Sequence, residues 1–103
     1  MLDSALKRIY SLPMITWDEP KRRKNLADHR IDLAELESAF GYPMVTVEDD
    51  RIAYGEQRLQ ILAFWCGRVV FLVWTVRQDA AHLISCRYAD KQQTQRYFAT
   101  VQP

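Results

Sequence analysis

The stretch RLQILAFWCGRVVFLVWTVRQDAAHLISCR, Arg58 to Arg87, decides the fold. Val69 to Val76 contains no charge, Gly or Pro and is rich in β-branched and aromatic residues, the composition of a strand covered on both faces. It is predicted to be the central strand. Arg58 to Cys66 precedes it through a turn at Gly67-Arg68, and Leu83 to Tyr88 follows it through a polar turn at Gln78-Asp79. Short polar turns between apolar runs predict an antiparallel meander. Arginines mark its ends.

Outward from the meander, Asp90 and Gln93 have the spacing of a capping box and predict a final helix over about 91–100, carrying Tyr97 and Phe98. On the other side, Met44 to Glu48 alternates as a strand, Asp49-Asp50 reads as a turn, and a polar 51–57 segment leads into the meander. Earlier still, Met1 to Leu12 has the apolar spacing of a short helix that Pro13 ends, and Met14 to Trp17 suits an edge strand. Asp18 is a predicted N-cap, with Pro20 in the first turn of a helix running to about His29; Lys21, Asn25 and either Asp28 or His29 share one of its faces. Asp32 and Glu35 then start a second helix that ends near Phe40 and Gly41. This order predicts an α+β domain, an antiparallel sheet of about four to five strands with helices packed against it. Residues 1–103 are expected to form a single domain, with 1–13 as an N-terminal extension and 14–100 as its body.

The 103 residues are 49% hydrophobic and 26% charged, ordinary for a globular domain. No apolar run reaches the roughly 18 residues of a membrane span and no signal-peptide core is present, so a cytoplasmic location without membrane contact is expected. Cys66 and Cys86 fall on predicted strands without a CxxC pair or a His at metal spacing, and are expected to be buried free thiols. The net charge is only +1, but it is segregated: residues 31–50 hold Asp32, Glu35, Glu37, Glu48, Asp49 and Asp50 and no Lys or Arg. The basic residues flank this segment on both sides. A cationic face and an anionic face are predicted, with the acidic segment outside any surface that binds an anion.

Register arithmetic limits which residues can cooperate. If Cys66 and Val69 flank the first turn, Arg58 lies opposite Arg77, with Glu56 close by. Such a like-charge pair opposes pairing unless an acid or an anionic ligand compensates. With Arg77 paired near His82, Arg87 lies opposite Leu72, about 16 Å away along the strand. An extended groove is predicted, and His82 is placed in a turn.

Several residues now form a series: Trp17-Asp18, Lys21, Asn25 and His29; Gly55-Glu56 and Arg58; Gly67-Arg68, Thr75 and Arg77; Ile84-Ser85, Arg87, Ala89 and Tyr97. Over about residues 14–98 this series resembles the BrnT-type toxins of BrnT/BrnA toxin–antitoxin pairs. Arg30, Cys86 and Gln93 stand where that family usually has Gly, Ala and Glu. The resemblance implies a RelE-like fold, a small ribonuclease, and a BrnA-like ribbon-helix-helix antitoxin through which alone the toxin would meet DNA.

Metal-free RNA cleavage requires a base for the ribose 2′-OH, cations for the phosphate and a proton for the leaving oxygen. On that reading the catalytic candidates are Glu56, Arg58, Arg77, Arg87 and His29, with Glu56 or His29 moving the proton; Lys21, Arg68 and Tyr97 are RNA-binding candidates. No metal and no cofactor is expected. Each residue also has a structural reading: an ion-pair network for Glu56 and the arginines, a solvated helix charge for Lys21, a helix-dipole partner for His29, packing for Tyr97. Trp17, Trp65 and Trp74 read as core. The alternative function is a noncatalytic module whose basic groove binds an acidic partner protein.

Overall fold

The computed structural model describes residues 13–47, 52–53 and 55–102. The meander consists of β5 (Leu59–Trp65), β6 (Arg68–Arg77) and β7 (Ala80–Tyr88), paired antiparallel. β2 (Val45–Thr46) extends it beside β5, and β1 (Ile15–Trp17) extends it beside β7. The strand order β1-β7-β6-β5-β2 makes β6 central, as its charge-free run predicts. The α+β class is as expected. One strand departs from the expected direction, because β1 runs parallel to β7 and makes the sheet mixed. β1 is followed by a helix rather than a hairpin, so nothing in its local chain forces the antiparallel arrangement.

The first turn of the meander lies one residue earlier than expected, and the second is tighter than expected. Cys66 and Gly67 have φ of 48° and 79°, the paired positive values of a two-residue hairpin turn with glycine second. Arg68 therefore belongs to β6, opposite Trp65, and the ladder ends with Leu59 opposite Trp74. The pairing is thus shifted by two residues, and Arg58 does not face Arg77 across the strands. Cys66, expected to be buried, is exposed in this turn; Cys86 is buried, and burial pushes its thiol up to about 12. At the other turn Gln78 and Asp79 both have positive φ, Arg77 pairs with Ala80, and an irregularity between Val73 and Trp74 brings Arg87 opposite Phe71 rather than Leu72.

Side chains alternate across the sheet. Ile61, Ala63, Trp65, Val70, Leu72, Leu83 and Cys86 pack with Ile31, Leu33, Leu36 and Ala39, which lie in and just before a 3₁₀ helix, Leu33–Gly41. This segment was expected to be an ordinary helix. Its Asp32 carboxylate does accept from the Ala34 N–H, as the predicted cap requires. Glu35 and Glu37 are exposed on it. On the opposite face Leu62, Val69 and Val45 pack with Tyr97 of helix α2 (Lys91–Val101), which begins with the predicted Asp90–Gln93 capping box. α2 covers this face near the β5–β6 turn; the other end of the same face carries Thr75 and Arg77 on β6 and His82 on β7.

Helix α1 (Glu19–His29) spans the predicted residues and lies against the part of β7 that β1 leaves unpaired. There the buried Asn25 replaces a neighbouring strand: its amide donates to the carbonyls of Cys86 and Ile31, each at 2.9 Å, and its oxygen accepts from the Cys86 N–H at 2.9 Å. α1 ends at Arg30, whose φ of 62° is the left-handed conformation that favours glycine. Arg30→Gly is expected to raise the free energy of unfolding by about 0.5–1 kcal/mol, the left-handed strain less the entropy that glycine adds to the unfolded chain. An unchanged or lower urea midpoint would count against this account of the helix end. The predicted 1–12 helix and the Asp49-Asp50 turn lie outside the described residues.

The 51–57 segment holds a feature not anticipated. β3 (Ile52–Ala53) and β4 (Glu56–Gln57) form a small separate hairpin, with Gly55 at φ 75° in its turn. It is fastened to the main sheet by the Thr75 hydroxyl, which donates to the Gln57 carbonyl at 2.7 Å.

Candidate active site

Arg77 closes β6, and β4 carries Glu56 up to it. The guanidinium Nε donates to Glu56 Oε2 at 2.6 Å and Nη2 to Oε1 at 2.7 Å, a two-pronged fork. The expected closeness of Glu56 to Arg77 is therefore present, reached through the small hairpin. The Arg77 hydrogen bonds hold the Glu56 carboxyl below its usual range, and the same bonds raise the guanidinium of Arg77. Arg58, half-buried between β4 and β5, adds to the field that keeps Glu56 ionised. A carboxylate so held, with both oxygens engaged, is a weak base at neutral pH. Its geometry suits orienting Arg77.

His82 stands beside this pair. Far from lying in a turn, it is a β7 residue, buried, paired with Thr75 on one side and Thr16 on the other. Nδ1 is 2.8 Å from Thr16 Oγ1, and Nε2 is 3.8 Å from a carboxylate oxygen of Asp18. Asp18 occupies the N-cap position of α1, yet its side chain caps no backbone N–H. Burial lowers the imidazole's pKa from its ordinary 6.5, and Arg77 and Lys21 lower it further against the opposing pull of Asp18 and Glu56. Met14, Thr16, Arg77, Gln78, Ala80 and His82 line an open cavity of about 520 Å³, within the size range of small-ligand sites. Sequence reasoning missed His82 because its strand begins directly after a two-residue turn, only two residues before the histidine.

The basic cluster of α1 resolves into paired and unpaired charges. Arg22 bridges Glu19 and Asp32, joining α1 to the 3₁₀ helix, and Lys24 meets Asp28 at 2.7 Å. Among the described residues Lys21 has no carboxylate partner. Lys21, Asn25, Asp28 and His29 line a groove with Ile84 and Ser85 of β7, so both alternatives for the shared helix face are present together. His29 sits at the far end of that groove. Lys21 connects the two regions, since its charge also acts on His82.

The remaining candidates are not brought to Arg77. Arg87 shares its sheet face but lies six residues along the strands, about 20 Å away. Its Nη1 donates to the Tyr88 carbonyl and to Gln93 Oε1, both at 3.1 Å, and its guanidinium stacks on Phe71, 4.6 Å from the ring centre. Arg68 starts β6 at its opposite end and lies over the Tyr88 ring at 3.7 Å, on the face that packs against the 3₁₀ helix. Tyr97 is 2% exposed, and its hydroxyl donates to the Pro43 carbonyl at 2.8 Å; burial raises its pKa. That is a packing role. Of the tryptophans, Trp65 is buried with its indole N–H on the Glu35 carbonyl, and Trp74 packs edge-on against Phe40.

The cluster thus combines an oriented guanidinium, an imidazole with a counter-charge and an unpaired ammonium. These are the parts of a site for a phosphodiester. Comparison with known proteins agrees with this chemistry. A family model described as the ribonuclease toxin BrnT of type II toxin–antitoxin systems matches residues 17–93, from the end of β1 into the first turn of α2. No curated protein matches the sequence. With a match over most of its length, the chain belongs to the BrnT family of ribonuclease toxins, whose type II setting implies an RNA substrate and an antitoxin protein as partner.

Proposed function

We propose that this protein is an endoribonuclease that cleaves RNA without a metal, by attack of the ribose 2′-oxygen on the adjacent phosphorus. The observation that carries this reading is the Arg77–Glu56 fork beside His82. Glu56 engages Nε and Nη2 of Arg77 and leaves Nη1 to meet a phosphate oxygen, so that the cation is fixed before RNA arrives. Lys21, in the neighbouring groove, supplies a second positive charge that acts on His82. Arg58 adds positive charge that acts on Glu56, and Arg87, Ser85 and His29 border the path along which neighbouring nucleotides would lie. The roles first assigned to Arg68 and Tyr97 are not part of this proposal, because Arg68 lies on the sheet face opposite Arg77 and Tyr97 is buried with its hydroxyl on the Pro43 carbonyl.

The test is cleavage of a defined RNA by purified protein. Activity is expected to persist in EDTA and to leave 2′,3′-cyclic phosphate and 5′-hydroxyl ends. Activity abolished by chelation and restored by magnesium would overturn metal independence, and 5′-phosphate ends would overturn attack by the 2′-oxygen. The proposed antitoxin is a ribbon-helix-helix protein, with DNA contacted only through it, and the proposed location is cytoplasmic. Among the described residues no helix is long and apolar enough to cross a membrane. Purification of the toxin with a small protein of another fold as its neutralising partner would overturn the antitoxin assignment.

A further inference from the structure

We propose that His82 is the general base of the cleavage reaction and that Asp18 is the anion that stabilises its protonated form. The inference rests on the ribonuclease reading and supplies the proton-transfer group that Glu56, held ionised by Arg77, is poorly suited to be. Four observations carry it. His82 lines the same cavity as Arg77, so a group bound by the guanidinium lies within the histidine's reach. Thr16, at 2.8 Å from Nδ1, fixes the ring, and the proposed base is the tautomer in which Nδ1 donates to the threonine oxygen and Nε2 carries the lone pair. The Asp18 carboxylate lies 3.8 Å from that Nε2, and of the three N-cap aspartates among the described residues it is the one that makes no cap bond. A histidine buried only for packing needs neither a cavity beside it nor an uncommitted carboxylate. Finally, burial and the nearby Arg77 and Lys21 keep the imidazole neutral at neutral pH, the form a base requires, while Asp18 and Glu56 offset part of that effect.

The step balances as follows. Nε2 takes the 2′-hydroxyl proton while a bond forms between the 2′-oxygen and phosphorus. The bond from phosphorus to the 5′-oxygen breaks, its electron pair goes to that oxygen, and the oxygen takes a proton from solvent. Imidazolium, stabilised by Asp18, then returns its proton to solvent. The products are a 2′,3′-cyclic phosphate and a 5′-hydroxyl. Arg77 donates to the phosphoryl oxygens, on which negative charge builds.

The experiment is a single-turnover pH–rate profile for wild type, His82→Gln, Asp18→Asn and Arg77→Ala, with thermal midpoints for each. Wild-type cleavage should rise with pH through an acid limb lying below 6.5, because the base must be neutral and its pKa is lowered. His82→Gln should lower the rate by roughly 10²-fold or more and abolish that limb. Asp18→Asn should move the limb to lower pH, since Asp18 raises the histidine's pKa. A packing role for His82 would not produce that displacement, and this variant decides the question if His82→Gln does not fold. Folded His82→Gln protein with a wild-type rate and profile, or Asp18→Asn with an unmoved limb, overturns the proposal. If Arg77→Ala is inactive in either case, the ribonuclease reading stands without it. A wild-type protein that cleaves no RNA sinks both.

Discussion

Asn25→Ala should lower the free energy of unfolding by about 3 kcal/mol, a large effect for one exchange of an uncharged side chain. Asn25 is 5% exposed and makes three hydrogen bonds, two to Cys86 and one to Ile31. Alanine would strand two buried carbonyls and one buried N–H, each costing about 1–3 kcal/mol when left unpaired. Partial entry of water keeps the total near the lower end of that sum. In a domain of this size the thermal midpoint should fall by roughly 12–20 °C. Urea unfolding of the variant checks the value, and a loss under about 1 kcal/mol would show that α1 is held by other contacts. The consequence reaches the site. Asp18 and Lys21 ride on the same helix, so the folded fraction of the variant should also cleave RNA more slowly than wild type.

The meander, α1 and α2 were legible because each announces itself locally. A charge-free β-branched run, a Pro in a first turn and a capping box act within a few residues of where they stand. β1's parallel pairing was not legible, since its direction follows from how α1 packs on β7, a tertiary choice. The β3–β4 hairpin was missed for a different reason: two-residue strands in a polar segment leave no periodic signal. Placing the first turn one residue late moved the pairing by two, set Arg58 opposite Arg77 and buried Cys66. The nearness of Glu56 to Arg77 nevertheless survived, because the hairpin folds back on Thr75 and delivers the carboxylate from another direction.

Within the site the arginines and the nearness of Glu56 to Arg77 were visible, and the other partners were not. Arg87 reads as a free cation until Gln93 and Phe71 claim it. Asp18 reads as a helix cap, and only the folded chain turns its carboxylate toward His82. Of the acidic 31–50 segment, the structure describes the part up to Val47. Glu35 and Glu37 project from the 3₁₀ helix, which packs on the sheet face opposite Arg77.

Arg77→Ala should reduce RNA cleavage by roughly 10²-fold or more, the scale of removing one preorganised donor from a transition state. The guanidinium is held by Glu56 through Nε and Nη2, and Nη1 remains for phosphate, so one side chain both accepts orientation and delivers charge. Lysine cannot do both: a single ammonium has no planar fork, and Arg77→Lys should recover only part of the loss. Stability should change little. The ion pair is solvent-accessible, and such pairs contribute weakly to folding. Removing Arg77 also takes a positive charge from beside His82, so the acid limb of the residual activity should move to higher pH. That displacement is opposite in sign to the one expected for Asp18→Asn. Rate, pH profile and thermal midpoint measured on the same variant separate the possibilities. A protein of unchanged rate would remove Arg77 from the site, and one that is strongly destabilised but cleaves normally when folded would make the fork a structural clamp.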